Sequence, residues 1–257
     1  MDTCVYSIQD VVHSYGEATS RLILLDYDGT LVPFASLPQL AVPDPEVLLL
    51  LKRLCVTNTV YVISGRDRGT LEEWLGTLPI GLVAEHGAAM RTPGEAWRML
   101  SELNTGWKSQ AVSLLQEAVH QCPGSLIEEK EFSVSWHYRN TAEEKASAFI
   151  PELTDKLEQL LSESGLELLY GNKVIEIRCV GADKRHAARS LSEAGDYDFI
   201  LSAGDDLTDE GMFVALKEVP YAYTFRIGAV PQTEAKFSFG TRYELLELLR
   251  SLIGSER

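Results

Sequence analysis

The 257-residue sequence predicts an α/β protein, with a parallel-sheet core interrupted by an inserted α+β lid. Three observations predict it. In the first hundred residues, short apolar runs alternate with amphipathic helical segments, the pattern of a parallel sheet covered on both faces. In the middle the order changes to helix, hairpin, helix, hairpin, which is antiparallel in character. After Asp183 the alternation returns.

The first buried strand is expected over residues 21–26 (RLILLD), bounded by Gly29. Asp44-Pro45 opens a helix, an N-cap followed by proline at the first helical position, and leads into EVLLLLKRLCV. Residues 59–63 (TVYVI) make the next strand, ending at Ser64-Gly65; a helix over 70–75 and a strand over 82–84 follow. In the middle, residues 107–120 carry Ala111, Leu114, Leu115, Ala118 and Val119 at helical spacing. Strands are expected over 126–129 and 132–139, joined tightly at Lys130-Glu131. A long helix over 142–164 presents Ala146, Phe149, Ile150, Leu153, Leu157 and Leu160 on one side. LELLY and KVIEI form a second hairpin about the turn signal Gly171-Asn172. Then come a helix over 184–194, a strand over 199–203, a helix over 210–216, a strand over 221–227 and a last helix over 243–253.

Composition narrows the function. The chain is 45% hydrophobic and 24% charged, ordinary for a soluble globular protein. Its apolar runs are far too short to span a bilayer, so no membrane partner is expected. The opening MDTCVYSIQDVVHSYGEA has no basic start followed by an apolar block, so no secretory leader is expected. Cys4, Cys55, Cys122 and Cys179 stand far apart without metal-ligand spacing, which suits a reducing cytoplasm. With 23 Lys+Arg against 38 Asp+Glu, the net charge of −15 excludes nucleic acid and anionic lipid as partners. It also repels phosphate, so a phosphorylated substrate would need local positive charge from a metal, a lysine or helix N-termini.

Two acidic clusters each follow an apolar strand. Asp26-Tyr27-Asp28-Gly29-Thr30 sits where open α/β sheets bind ligands, beyond the carboxyl end of a strand. Two carboxylates there repel each other and resist desolvation unless a cation joins them. An Asp-Gly turn would explain part of the motif. A calcium loop would not, because Leu37 stands where its glutamate is required. In Gly204-Asp205-Asp206-Leu207-Thr208-Asp209-Glu210, a helix start capped by Thr208 would explain the last residues and leave Asp205-Asp206 unexplained. Together the clusters describe a hard-cation site with oxygen ligands. Ser64-Gly65-Arg66 offers a hydroxyl and backbone N–H groups to a phosphate oxygen, or is only a turn. Lys184, in the first turn of a helix capped by Asp183, opposes the macrodipole; a bound phosphate would account for it, and a solvated surface lysine is the bland alternative.

DYDGTL, SGR, a lysine and GDDLTDE, in this order, resemble the haloacid dehalogenase superfamily of phosphotransferases, and the inserted unit resembles the lid of its sugar-phosphatase branch. With EHG at Glu85 to Gly87 and EEKEFSVSWHYR, the chain from Leu22 onward is similar to the trehalose-6-phosphate phosphatases. The resemblance implies a Rossmann-like core over 1–104 and 178–257, a sugar-recognising lid over 105–177, and magnesium-dependent hydrolysis of trehalose 6-phosphate, a small sugar phosphate, to trehalose and phosphate through an aspartyl phosphate. In that reading Asp26 is the nucleophile and Asp28 the acid, then base. Asp26, the Asp28 carbonyl and Asp205 hold Mg²⁺, with Asp209 in support. Ser64, Gly65 and Lys184 hold the phosphoryl group. Arg66, Glu128, Lys130, Arg139 and Glu176 contact the substrate, and His137 stays structural. A monomer is expected. Two departures stand out: Arg185 follows the lysine where the family usually has glycine, and Cys179 follows Arg178 where proline is frequent. The alternatives are a sucrose- or mannosyl-phosphate phosphatase of the same fold, and a non-catalytic module that binds a sugar phosphate.

Overall fold

Aliphatic runs too short to be anything but strands build the central sheet. In the computed structural model, which describes residues 7–254 apart from 36, 100–103 and 172, the chain begins with α1 (Ile8–Glu17), β1 (Arg21–Leu25), α2 (Pro45–Leu54), β2 (Thr59–Ile63), α3 (Arg68–Leu75), β3 (Gly81–Ala84), β4 (Ala89–Arg91) and β5 (Arg98–Met99). The middle holds α4 (Lys108–Gln121), β6 (Leu126–Glu129), β7 (Ser133–His137), α5 (Glu143–Ser164), β8 (Leu166–Gly171) and β9 (Val174–Cys179). Then follow α6 (Lys184–Glu193), β10 (Phe199–Gly204), α7 (Glu210–Leu216), β11 (Ala222–Ile227), β12 (Phe237–Phe239) and α8 (Arg242–Gly254). The chain divides into two compact units, residues 1–100 with 183–257 and residues 101–182.

The first unit is an eight-stranded sheet in the order β12-β11-β10-β1-β2-β3-β4-β5. Only β4 and β5 run antiparallel to their neighbours. Because successive side chains of a strand point to opposite faces, the RLILL run of β1 feeds both. Ile23 and Leu25 join Val11, Leu51, Leu71 and Leu249 of α1, α2, α3 and α8. Leu22 and Leu24 join Ala187, Leu191, Met212 and Phe213 of α6 and α7. Leu25 is in register with Ala203 on one side and Val62 on the other. The carboxyl ends of β1, β2 and β10 therefore lie side by side, and the motif residues that follow them are brought together.

The second unit is a four-stranded antiparallel sheet, β6-β7-β9-β8, with α4 and α5 on one face. Val134, Trp136, Ile175 and Ile177 enter the core with Leu115, Leu153 and Leu157. On the opposite face, Glu128 is in register with Ser135, and Ser135 with Glu176.

Three features differ from the sequence expectations. A helix, α1, precedes the first strand; its cap is Ser7, whose hydroxyl accepts from Asp10 N. The short strands β4, β5 and β12 carry too few residues for a period-two pattern to register. The strand expected over 132–139 is shorter, Ser133–His137, so Arg139 stands in the turn after it and alternation does not fix its face. The turn residue Asn172 and Cys4 lie outside the described residues.

Candidate active site

Asp26 follows β1 directly, and its N–H donates to Ala203 O at 2.9 Å, so β10 fixes the backbone at the point where the side chain leaves the sheet. The carboxylate is 4% exposed and accepts from Lys184 Nζ at 2.6 Å. The same ammonium donates to Asp209 Oδ1 at 2.7 Å. Lys184 is the first residue of α6, whose cap is Asp183 accepting from His186 N at 2.7 Å. Its side chain runs inward to two carboxylates instead of into solvent, which excludes the surface-lysine alternative. Arg185 points outward and leaves the cap intact.

Asp209 is wholly buried, and both its oxygens are engaged. Oδ2 accepts from Asp205 N and Asp206 N at 2.9 Å each, while Oδ1 takes Lys184. The cap of this turn is Asp206, which accepts from Thr208 N at 2.7 Å and Asp209 N at 3.2 Å. Thr208, the cap expected from sequence, donates its hydroxyl to Asp206 instead, at 2.6 Å. Thr30 Oγ1 donates to Asp205 Oδ1 at 3.3 Å. Gly29 adopts φ +81°, and a Cβ on it would collide with the Asp205 carboxylate. Here glycine is demanded by both backbone sign and space.

Carboxylate oxygens of Asp26, Asp205 and Asp209 lie within 4.8 Å of one another. Burial pushes Asp26 up to about 7, with Lys184 opposing and Asp206 and Asp205 adding to the rise. Burial, then Asp209 and Asp206, push Asp205 up to about 7. Burial and Asp26 drive Asp209 well above the carboxylate range against the pull of Lys184. Asp206 differs: burial raises it, but Lys184 and Thr208 outweigh that and hold it well below its ordinary value. Lys184 stays charged, because Asp209 and Asp26 outweigh the cost of its burial. One ammonium cannot offset three carboxylates, so ionising all of them calls for more positive charge. A hard cation with oxygen ligands fits this donor set. Both oxygens of Asp209 already accept hydrogen bonds.

After β2, Ser64 is buried, and its hydroxyl accepts from Arg66 N at 3.1 Å. Gly65 has no room for a side chain, because a Cβ would press on the His86 ring at 2.5 Å. His86 N and Glu85 N donate to Ser64 O and Arg66 O at 2.9 Å each, and both residues hold positive φ, 60° and 46°. Arg66 forms a two-pronged pair with Asp28, Nε to Oδ2 at 2.8 Å and Nη2 to Oδ1 at 2.6 Å. Thr30, Asp206 and His86 are members that sequence reasoning missed. All three were inside the quoted motifs, and only the three-dimensional structure gives their partners.

Within the second unit, His137 Nε2 donates to the Glu128 carboxylate at 2.8 Å. Ser135 Oγ donates to Glu176 at 3.2 Å, and Lys130 Nζ lies 3.8 Å from the same carboxylate. Glu128 and Glu176 thus belong to one polar row; Arg139 is not part of the strand that carries it.

Residues 24–240 match the family model described as trehalose-phosphatase. The chain belongs to the trehalose-phosphatase family. It is 44% identical over 248 residues, 96% of its length, to a bifunctional trehalose-6-phosphate synthase/phosphatase of Thermoproteus tenax, and 34% identical over 94% of its length to a trehalose-phosphatase of Schizosaccharomyces pombe. It spans about a third of those relatives, 34% and 29% of their lengths. Among solved structures, the C-terminal domain of a C. albicans trehalose-6-phosphate phosphatase aligns at TM-score 0.89 with 28% identity, covering 97% of both chains. The C-terminal domain of a Candida albicans trehalose synthase regulatory protein shares the fold at 19% identity and TM-score 0.77, covering 95% of this chain and 98% of that one. Fold alone therefore does not separate a phosphatase from a regulatory protein; the side chains must do so. Among the described residues no helix is long and apolar enough to cross a membrane.

Proposed function

We propose that this chain hydrolyses trehalose 6-phosphate to trehalose and phosphate through an aspartyl phosphate on Asp26. The observation that carries the reading is the burial of Asp26 at the end of β1, tied to Lys184 and grouped with Asp205 and Asp209. An Asp26 oxygen attacks phosphorus, the bond from phosphorus to the sugar oxygen breaks, and Asp28 gives that oxygen a proton. Water then attacks phosphorus, Asp28 takes its proton, and the bond to Asp26 breaks. Mg²⁺ would be held by Asp26, Asp205 and the Asp28 carbonyl, with Asp209 supporting. When bound it supplies charge neutralisation for the phosphoryl oxygens. Lys184, Ser64 and the Gly65 N–H are the protein's own phosphoryl-binding groups, arranged so that positioning does most of the catalytic work.

The lid reading is part of the same proposal, with a core over 1–104 and 178–257 and a sugar-reading unit over 105–177. Glu128, Lys130 and Glu176 are its sugar contacts, supported by the shared polar face of β6, β7 and β9; Arg139 is a fourth. A cytoplasmic home is supported by the free thiols of Cys55, Cys122 and Cys179. The test is phosphate release from trehalose 6-phosphate with Mg²⁺ present, for the parent and for Asp26→Asn. Release by the parent and none by the folded variant is expected. Equal release by both would remove Asp26 from the chemistry, and no release by the parent would favour the regulatory reading.

A further inference from the structure

Tyr27 lies between the two aspartates of the first motif and is buried in the core beneath the site. Its ring stacks on Trp74 of α3, with centroids 5.6 Å apart and planes inclined by 26°. Above Trp74 lies the Arg66 guanidinium, 5.3 Å from the ring centre. Three donors of the Arg66 fork are engaged here: Nε and Nη2 hold the two oxygens of Asp28, and Nη1 donates to Pro38 O at 2.7 Å. Pro38 belongs to the 3₁₀ turn Pro38–Leu40, and the carbonyl just after it, Ala41 O, accepts from Tyr27 Oη at 2.7 Å. The contacts close a ring that runs from Tyr27 to Trp74, Arg66 and Asp28, with the 3₁₀ turn fastened to both Arg66 and Tyr27.

We infer that Arg66, seated on the Trp74–Tyr27 platform, is a positioning residue that fixes the orientation of the Asp28 carboxyl toward the departing ester oxygen and the incoming water. The inference rests on the proposed role of Asp28 as acid and base. A lone carboxyl after a strand rotates about two side-chain bonds. A planar fork that matches both its oxygens removes that freedom and leaves the remaining lone pairs for the reacting groups. Lysine would keep the charge and lose the planar constraint. A stacked cation held over an indole is itself fixed in plane.

The experiment compares kcat/KM on three esters in Mg²⁺, for Arg66→Lys, Trp74→Phe and Asp28→Asn, each first checked for folding by its thermal melt. Trehalose 6-phosphate and β-glycerophosphate both expel a poor alkoxide that needs a proton. p-Nitrophenyl phosphate expels a phenolate that does not. Arg66→Lys is expected to lose about 10- to 100-fold on both alkyl esters and less than about threefold on the aryl ester, a part of the factor that a placed general acid supplies. Trp74→Phe should lose less, in the same pattern, and it carries the test if Arg66→Lys does not fold. Loss on trehalose 6-phosphate alone would make Arg66 a sugar contact and overturn the inference. Equal loss on all three esters, or none on any, would overturn it too. If Asp28→Asn spares the alkyl esters, the acid assignment itself fails. If Asp28→Asn shows the selective pattern and the Arg66 and Trp74 variants do not, only the positioning role fails.

Discussion

At the scale of single residues, Lys184 decides how the buried carboxylates coexist. It touches Asp26 and Asp209 at once, and among the described residues neither has another cation as a hydrogen-bond partner. Replacing it by methionine keeps the volume and leaves two buried carboxylates facing each other. We expect Lys184→Met to cost about 3–5 kcal/mol near pH 8, the usual penalty for breaking a buried pair, and clearly less near pH 5.5, where the carboxylates take up protons. Urea unfolding at the two pH values measures it, and an equal cost at both would refute the electrostatic account. The sign for the parent follows from Asp26 and Asp205, which titrate near 7 in the folded chain against an ordinary 3.8. Between those values the folded state binds more protons than the unfolded one, so the metal-free protein loses stability as pH rises through the window. On the proposed reading, Mg²⁺ binds the ionised form. Its stabilisation, read as a shift in melting temperature, should therefore grow from about pH 5.5 to about pH 8. A shift that is constant or larger in acid would remove these aspartates as ligands. Much of this cluster was legible beforehand, because a lysine at a helix start works against the dipole and two acidic runs after strands work against each other. Trp74 and Pro38 were not. Nothing in an ordinary helix and an ordinary loop marks the residue that seats an arginine 38 positions away from its aspartate partner.

At the scale of elements, α5 is the least economical. Pro151 lies in its interior, with no N–H to donate to the turn before it, and it faces solvent. Pro151→Ala should raise the stability of the second unit by about 1–3 kcal/mol, a share of the helix penalty of proline; denaturant titration followed by far-ultraviolet circular dichroism checks it. A loss of stability would mean that the helix depends on the distortion. The sequence pattern carried straight through this proline, since the apolar spacing of Phe149, Leu153 and Leu157 is indifferent to it, and the helix forms over the full span. The same reasoning overran at β7. Tyr138 continues the aromatic alternation of Trp136, yet it stacks on that indole at 4.7 Å from beyond the strand's end. Period two counts residues and does not register where the hydrogen-bonded ladder stops.

At the scale of the whole molecule, each unit has its own apolar core: α1, α2, α3 and α8 against one face of the large sheet and α6 and α7 against the other, and α4 with α5 against the small sheet. Two cores without shared members predict unfolding that is not a single two-state event. The calorimetric enthalpy should exceed the van't Hoff enthalpy, and Pro151→Ala should raise one transition while leaving the other in place. One coincident transition by all probes would refute this. In the sequence the order of elements changes character in the middle and again after Asp183, whereas the way the large sheet orders its strands leaves no such mark, being a matter of pairing between distant segments.

That distant pairing has a kinetic consequence. β1 and β10 are neighbours in the centre of the large sheet, with Arg21 opposite Phe199. As the chain emerges during synthesis, β1 and β2 can pair early, while the other edge of β1 must wait until the whole of the second unit has been made. Until then an apolar strand edge is open to any passing strand. Closing a loop of that length costs only slowly growing entropy, and the inserted unit, folding on its own local contacts, shortens the effective distance between the two ends. The bond from Asp26 N to Ala203 O therefore waits for β10, the last of the three motif-bearing strands to be made.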